Sequence, residues 1–246
     1  MPITLVSPAL EGGYALEEKL SIAQSLKYAE ELGQLYGAER AQRRITEDAL
    51  ARLEASYRTT VRALAAALEL RDDQTGAHAE RVTELALRLA GRVAPELVSN
   101  PELEYGFLLH DLGKIGVPDA VVLKPGPLDD DEMETMRRHV ELGEQIIERI
   151  PYLGGLARGV IAAHHERWDG NGYPRGLAGE DIPLPARIFA VVDAFDAMTN
   201  DRPYRKALAV EEALREIRSG AGAQFDPEVV GAFVALMDRN RIDAAA

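Results

Sequence analysis

Apolar positions along the chain recur at helical spacing, and nowhere do they alternate strictly enough to predict a strand. From about Leu16 to Leu70 there is no proline, and only Gly33 and Gly37 weaken a long helix-forming run. Within it Leu50, Leu53, Tyr57, Thr60, Leu64 and Ala67 form a heptad seam, flanked by Glu47, Arg52, Glu54, Arg58 and Arg62. The seam predicts pairing with a second copy; the alternative is one long helix folded back on its own domain. Upstream of Thr46 the seam positions turn polar. After Arg71 shorter periodic segments predict helices near 76–93, 101–112, 130–150, 155–167, 185–199, 210–219 and 227–239. Their start signals are Asn100-Pro101, Asp129 with Glu132, and Asp226-Pro227, and Gly220 is a stop. The expected architecture is all-α: a helical, coiled-coil-like linker or dimerisation segment over 1–70, then a helical domain over 71–246.

Composition narrows what such a domain can do. With 46% hydrophobic residues among 246, a real core is available. A formal charge of −13 argues against a broad DNA-binding face, so an anionic substrate needs cations concentrated locally. No run approaches the roughly 18 apolar residues of a membrane span, and the first ten residues lack the basic start of a secretory signal. A cysteine count of zero fits a reducing cytoplasm, the expected location. It also means that any metal must be held by nitrogen and oxygen.

All five histidines fall in a series that could do this: His78, His110, His139 and the adjacent His164 and His165, with Asp111 beside the second and Asp193 closing the row. Successive groups lie roughly 30 residues apart, about one helix plus its connection, so each could come from a successive helix of one bundle. Imidazole and carboxylate together suit Mn, Fe, Ni or Zn. Seven side chains are too many for one octahedral ion and suitable for two. A metal pair can clamp both oxygens of a phosphoryl displacement and provide a hydroxide nucleophile near neutral pH. Neighbours on a helix point about 100° apart, so His110-Asp111 can offer a terminal ligand and a bridging carboxylate. Lys114 could neutralise a phosphate oxygen if its helix continues past Gly113; otherwise it is a solvated surface lysine.

The runs His110-Asp111-Leu-Gly-Lys114 and His164-His165-Glu-Arg-Trp-Asp-Gly-Asn-Gly172-Tyr173-Pro174 resemble the HD-GYP family of cyclic di-GMP phosphodiesterases. The resemblance extends from Arg71-Asp72 and Thr75-Gly-Ala-His78 to Asp193-Ala-Phe-Asp-Ala-Met-Thr-Asn-Asp201-Arg202-Pro203-Tyr204-Arg205, covering about residues 70–240. It implies an HD-type helical bundle whose iron or manganese centre hydrolyses the 3′–5′ phosphodiester of cyclic di-GMP, with linear pGpG or GMP as the end product. It carries over His78, His110, Asp111, His139, His164, His165 and Asp193 as ligands, with Asp111 as the bridge and Lys114 on phosphate. Tyr173 is expected to stack on a guanine or touch a phosphate, or else to anchor its loop. Arg202 and Arg205 are expected to contact substrate, or to form structural ion pairs; Asp72 is a further substrate-side candidate. Members with a third metal carry glutamate where this chain has Gln74, a poorer ligand, so two ions are expected. Val140 stands where proline is usual, which bears on a helix bend. Trp168, Asp169 and Asp196 read as structural. Partners implied are cyclic di-GMP and diguanylate cyclase (GGDEF) domains docking at the Gly-Tyr-Pro loop. Alternatives are a weakly active cyclic-dinucleotide-binding scaffold, or a hydrolase of another cyclic dinucleotide.

Overall fold

The computed structural model describes residues 8–71, 78–201 and 206–245, and its regular elements are all helical. The all-α expectation therefore holds for the described residues. Asp72, Gln74, Arg202 and Arg205 lie outside them. The first helix, α1 (Pro8–Arg71), runs through both of the units into which the chain divides after Tyr57.

In the first unit, surface pairs at i,i+4 such as Arg43–Glu47 (2.7 Å) support the helix, each worth only a few tenths of a kcal/mol, ~0.3–0.5. Large apolar side chains, among them Leu26, Leu35, Leu50 and Leu53, remain exposed along it. No helix among the described residues is long and apolar enough to cross a membrane.

In the second unit the last turns of α1 bury Val61 and Ala65, while Leu64 of the heptad seam stays outward. The face used for packing is thus a different one from the seam. Its polar margin is tied down by charge: Glu104 accepts Arg62 at 2.7 Å and Arg58 at 3.3 Å, and Arg62 also pairs with Glu80. Arg71 donates to the Lys114 and Val117 carbonyls and to Asp119, binding the helix end to the loop that follows His110.

The remaining helices are α2 (His78–Val93), α3 (Pro101–Leu108), α4 (Asp119–Val122), α5 (Asp130–Arg137), α6 (His139–Ile147), α7 (Leu156–Ala163), α8 (Leu184–Thr199), α9 (Val210–Ser219) and α10 (Pro227–Ala245). Start signals act as the sequence predicts. The Asn100 side chain accepts the Glu102 amide at 3.0 Å, and Asp129 and Glu132 form a reciprocal capping box. Val82, Ala86 and Leu89 of α2 meet Leu103 and Phe107 of α3, Ile188, Phe189 and Val192 of α8, Ile217 of α9 and Phe233 of α10 in one core. Phe107 and Phe189 stack at its centre, 5.4 Å between centroids.

Three predicted helices are shorter than their periodicity suggested. The one expected over 101–112 stops at Leu108, the one over 155–167 stops at Ala163, and the one over 130–150 breaks at Arg138 into α5 and α6. Close backbone packing explains part of this. The 3₁₀ turn Leu112–Gly116 lies directly on α6, and a Cβ on Gly113 would sit 1.8 Å from the His139 carbonyl oxygen. A full α-turn with side chains could not approach so closely.

Candidate metal centre

Every one of the three helix ends that falls short is followed by a histidine of the series. His110 comes two residues after α3, His139 two after α5, and His164 directly after α7. The final carbonyls of a helix have no intrahelical donor, and each histidine supplies one. Nδ1 of His110 donates to the Phe107 carbonyl (2.9 Å), Nδ1 of His139 to Met136 (2.7 Å), and Nδ1 of His164 to Ile161 (3.0 Å). A carbonyl can only accept, so in the neutral ring the proton is on Nδ1 and Nε2 carries a lone pair. His78, at the start of α2, has its Nδ1 2.7 Å from Asp196 Oδ2.

These Nε2 atoms turn inward. Asp111, His139, His164 and His165 can each offer an atom within 4.8 Å of the others, and so can His78, His110 and Asp193. Asp111 touches both groups: Oδ1 lies 3.4 Å from His139 Nε2, while Oδ2 lies 3.1 Å from His110 Nε2 and 2.9 Å from Lys114 Nζ. In the other group His78 Nε2 is 3.4 Å from Asp193 Oδ1. The structure thus brings all seven sequence-predicted ligands together.

The electrostatics match a cation. Burial and neighbouring rings push His164 well below the usual histidine range, and burial likewise lowers His139 and takes His165 down to about 4. Burial opposes ionisation of Asp111 and Asp193, but Lys114 and His110 around the first, and His78 and His110 around the second, hold both well below the carboxylate range. Neutral imidazoles beside charged carboxylates are the protonation state metal binding requires. His78 differs: burial lowers it, yet hydrogen bonds to Asp193 and Asp196 raise it to about 9, so a proton takes the place on Nε2 that a cation would occupy. The sharpest fit is between His139 and His164, whose Nε2 atoms lie 3.3 Å apart. Both carry lone pairs and both resist protonation, so a shared cation relieves a contact that is otherwise repulsive.

Lys114 sits on a 3₁₀ turn, not a continuing helix, and its ammonium reaches Asp111 all the same. Tyr173 stacks on His165 (4.7 Å, 22°), with the Arg137 guanidinium 5.1 Å from its ring centre. Its loop is held by Glu166, a buried carboxylate accepting the amides of Arg175 (2.8 Å) and Leu177 (3.1 Å). Gly172 is required where it stands, since a Cβ there would lie 2.4 Å from the Arg167 nitrogen. Of the residues read as structural, Asp169 is paired with Arg167 at 2.8 Å, and Trp168 lies under Arg187.

Sequence reasoning passed over Arg137 and Glu166, and read Asp196 only as structural. For Asp196 a signal existed, because Asp193 and Asp196 stand three apart on α8 and so share a face. Asp196 orients His78 and is itself held by Arg81 (3.0 and 3.1 Å) and Asn200 (2.9 Å). Asp196→Ala should weaken metal affinity on the order of 10- to 100-fold, as removal of a histidine's outer partner does. Metal titration of the purified variant checks this; unchanged affinity would remove Asp196 from the site.

The family model for the HD domain matches residues 62–229. A cyclic di-GMP phosphodiesterase of Thermotoga maritima is 46% identical over 170 residues, covering 68% of this chain and 46% of that protein. A cyclic di-GMP phosphodiesterase response regulator of Xanthomonas campestris is 43% identical over 190 residues, covering 74% and 48%. A 3′3′-cGAMP-specific phosphodiesterase of Vibrio cholerae is 39% identical over 168 residues, covering 68% and 32%. The chain therefore spans less than half the length of these relatives. Among solved structures, a cyclic GMP-AMP specific phosphodiesterase of V. cholerae aligns with a TM-score of 0.58 at 22% identity, over 74% of this chain and 49% of that one, a likeness of fold.

Proposed function

Because this chain belongs to the HD domain family, in its HD-GYP branch, we propose that it is a metal-dependent phosphodiesterase. Its substrate on this reading is cyclic di-GMP, cleaved at a 3′–5′ phosphodiester to linear pGpG. The observation that carries the reading is Asp111, one carboxylate in contact with two ligand groups at once. His139, His164 and His165 would hold one divalent ion, and His78, His110 and Asp193 a second, with Asp111 between them; iron or manganese suits this nitrogen and oxygen set. Such ions, when bound, supply Lewis acidity to a phosphoryl oxygen and make water a nucleophile near neutral pH.

The chain's own residues do the rest. Lys114 and Tyr173 share with six of the seven ligands, all but His164, a cavity of about 230 Å³. Lys114 brings a positive charge to a phosphate oxygen there. Burial, reinforced by Asp111, pushes the Tyr173 hydroxyl well above its usual range, so it stays protonated and able to donate. Arg202 and Arg205 would complete the substrate side, as the family resemblance implies, with Asp72 a further candidate. Residues 71–246 serve as the hydrolase. Segment 1–70 serves as the linker, with the outward Leu50, Leu53 and Leu64 pairing two copies in the cytoplasm. The Gly-Tyr-Pro loop is the candidate surface for GGDEF-domain partners.

The test is turnover by iron- or manganese-loaded protein of cyclic di-GMP and, separately, 3′3′-cyclic GMP-AMP. Release of pGpG from the first at the higher kcat/KM supports the reading. Preference for the second would reassign the substrate, and binding of either without turnover would make the chain a scaffold. Chelation gives an independent check. An ion present at about 100 times its Kd stabilises the folded state by about 2.7 kcal/mol. Stripping it should therefore lower Tm by several degrees, roughly 5–10 °C for a domain this size. An unchanged melting curve would oppose a resident metal.

A further inference from the structure

We propose that Arg137 and Tyr173 seat the second, non-reacting phosphate of a cyclic dinucleotide, in a cavity that adjoins the metal centre. The inference rests on the phosphodiesterase reading and names a substrate contact it leaves open.

Two cavities meet at a common wall made by His165, Tyr173 and Asp193. One holds Lys114 with His78, His110, Asp111 and His139, while His164 lines the other. The other, about 270 Å³, lies on the far side of the wall and is lined by Arg137, Arg167, Asn171 and Gln224 among others. A cyclic dinucleotide carries two phosphates joined through ribose, so a molecule with one phosphate at the metals must find room for its other half nearby. The second cavity offers that room.

Charge singles out Arg137. A dianion approaching a chain of net charge −13 needs a local cation for each phosphate. Lys114 stands in the metal cavity, 2.9 Å from Asp111, where it serves the reacting phosphate, and Arg167 is committed to Asp169 at 2.8 Å. Arg137 engages no carboxylate among the described residues; its guanidinium rests over the Tyr173 ring. Stacking a guanidinium on an aromatic face restrains its plane and leaves its N–H fork available for two phosphate oxygens. Tyr173 is itself fixed by stacking on His165, so the receptor is built before substrate arrives. Glu166, the other carboxylate of this cavity, has both oxygens occupied by backbone amides. Position strengthens the assignment: Arg137 ends α5, two residues before His139, so phosphate receptor and ligand are set by one short segment.

The experiment is calorimetric binding of cyclic di-GMP and 3′3′-cyclic GMP-AMP to metal-loaded wild-type protein, Arg137→Ala and Arg137→Lys, with metal content measured in each. Arg137→Ala should raise the Kd for both by a similar factor, on the order of 10- to 100-fold. Arg137→Lys should recover part of the loss, and metal content should match wild type. Unchanged affinity would overturn the proposal. So would a loss much larger for cyclic di-GMP, which would mark a guanine contact, or a fall in metal content, which would show Arg137 acting through His139. Wild-type protein that binds cyclic di-GMP without cleaving it would sink the hydrolase reading and leave the phosphate seat standing. Wild-type protein that binds neither dinucleotide would overturn both.

Discussion

Asp111→Ala should lose metal and turnover together, with cyclic di-GMP hydrolysis falling on the order of 10³-fold or more, the scale set by removing a principal stabiliser of transition-state charge. The two oxygens of Asp111 face different groups, so its loss opens both coordination spheres. It also releases Lys114, whose ammonium is paired with that carboxylate and would then face the cations directly. Helicity should stay near wild type, because Asp111 stands between α3 and the 3₁₀ turn, where no helix depends on it. Elemental analysis, circular dichroism and turnover on one preparation decide the matter. A variant that keeps its metals and its rate would exclude Asp111 as the shared carboxylate.

Gly113→Ala should be nearly as damaging without touching a ligand. The added methyl would meet the His139 carbonyl oxygen at 1.8 Å and the Gly143 nitrogen at 2.4 Å. These are backbone atoms, which no rotamer change can move aside. The 3₁₀ turn and α6 must separate, drawing Asp111 away from His139. Overpacking of this kind costs about 1–3 kcal/mol and more where relief is blocked, and Tm should fall by roughly 5–10 °C. Metal content should drop as well. A variant with wild-type Tm and full metal occupancy would show that the close approach is not required.

The helices of the domain and their caps were legible because periodicity and capping are local. Asn100 and Asp129 behave as their sequence contexts require. The ligand series was legible for a different reason: seven metal-type donors with no other obvious purpose stand at regular intervals. The helix ends were not. The apolar periodicity runs on past Leu108 and Arg138; part of what interrupts it is the close approach of Gly113 to His139, 26 residues away, with the histidines capping the shortened ends. The contact of Asp196 with His78 was hidden in sequence, because the two residues are 118 positions apart. The packing face of α1 was hidden too, since Val61 and Ala65 lie among apolar neighbours with an equally good claim to burial.

The three rings that cap α3, α5 and α7 make a customary experiment ambiguous. Alanine at His110, His139 or His164 deletes a donor atom and, in the same stroke, strands a carbonyl at the end of a helix. Fraying there would move the neighbouring donors as well, so a variant that lost its metal would not reveal which change was responsible. Asparagine is the more informative swap. Its side-chain amide can still bond a nearby carbonyl while withholding imidazole from the ion, which separates scaffold from chemistry.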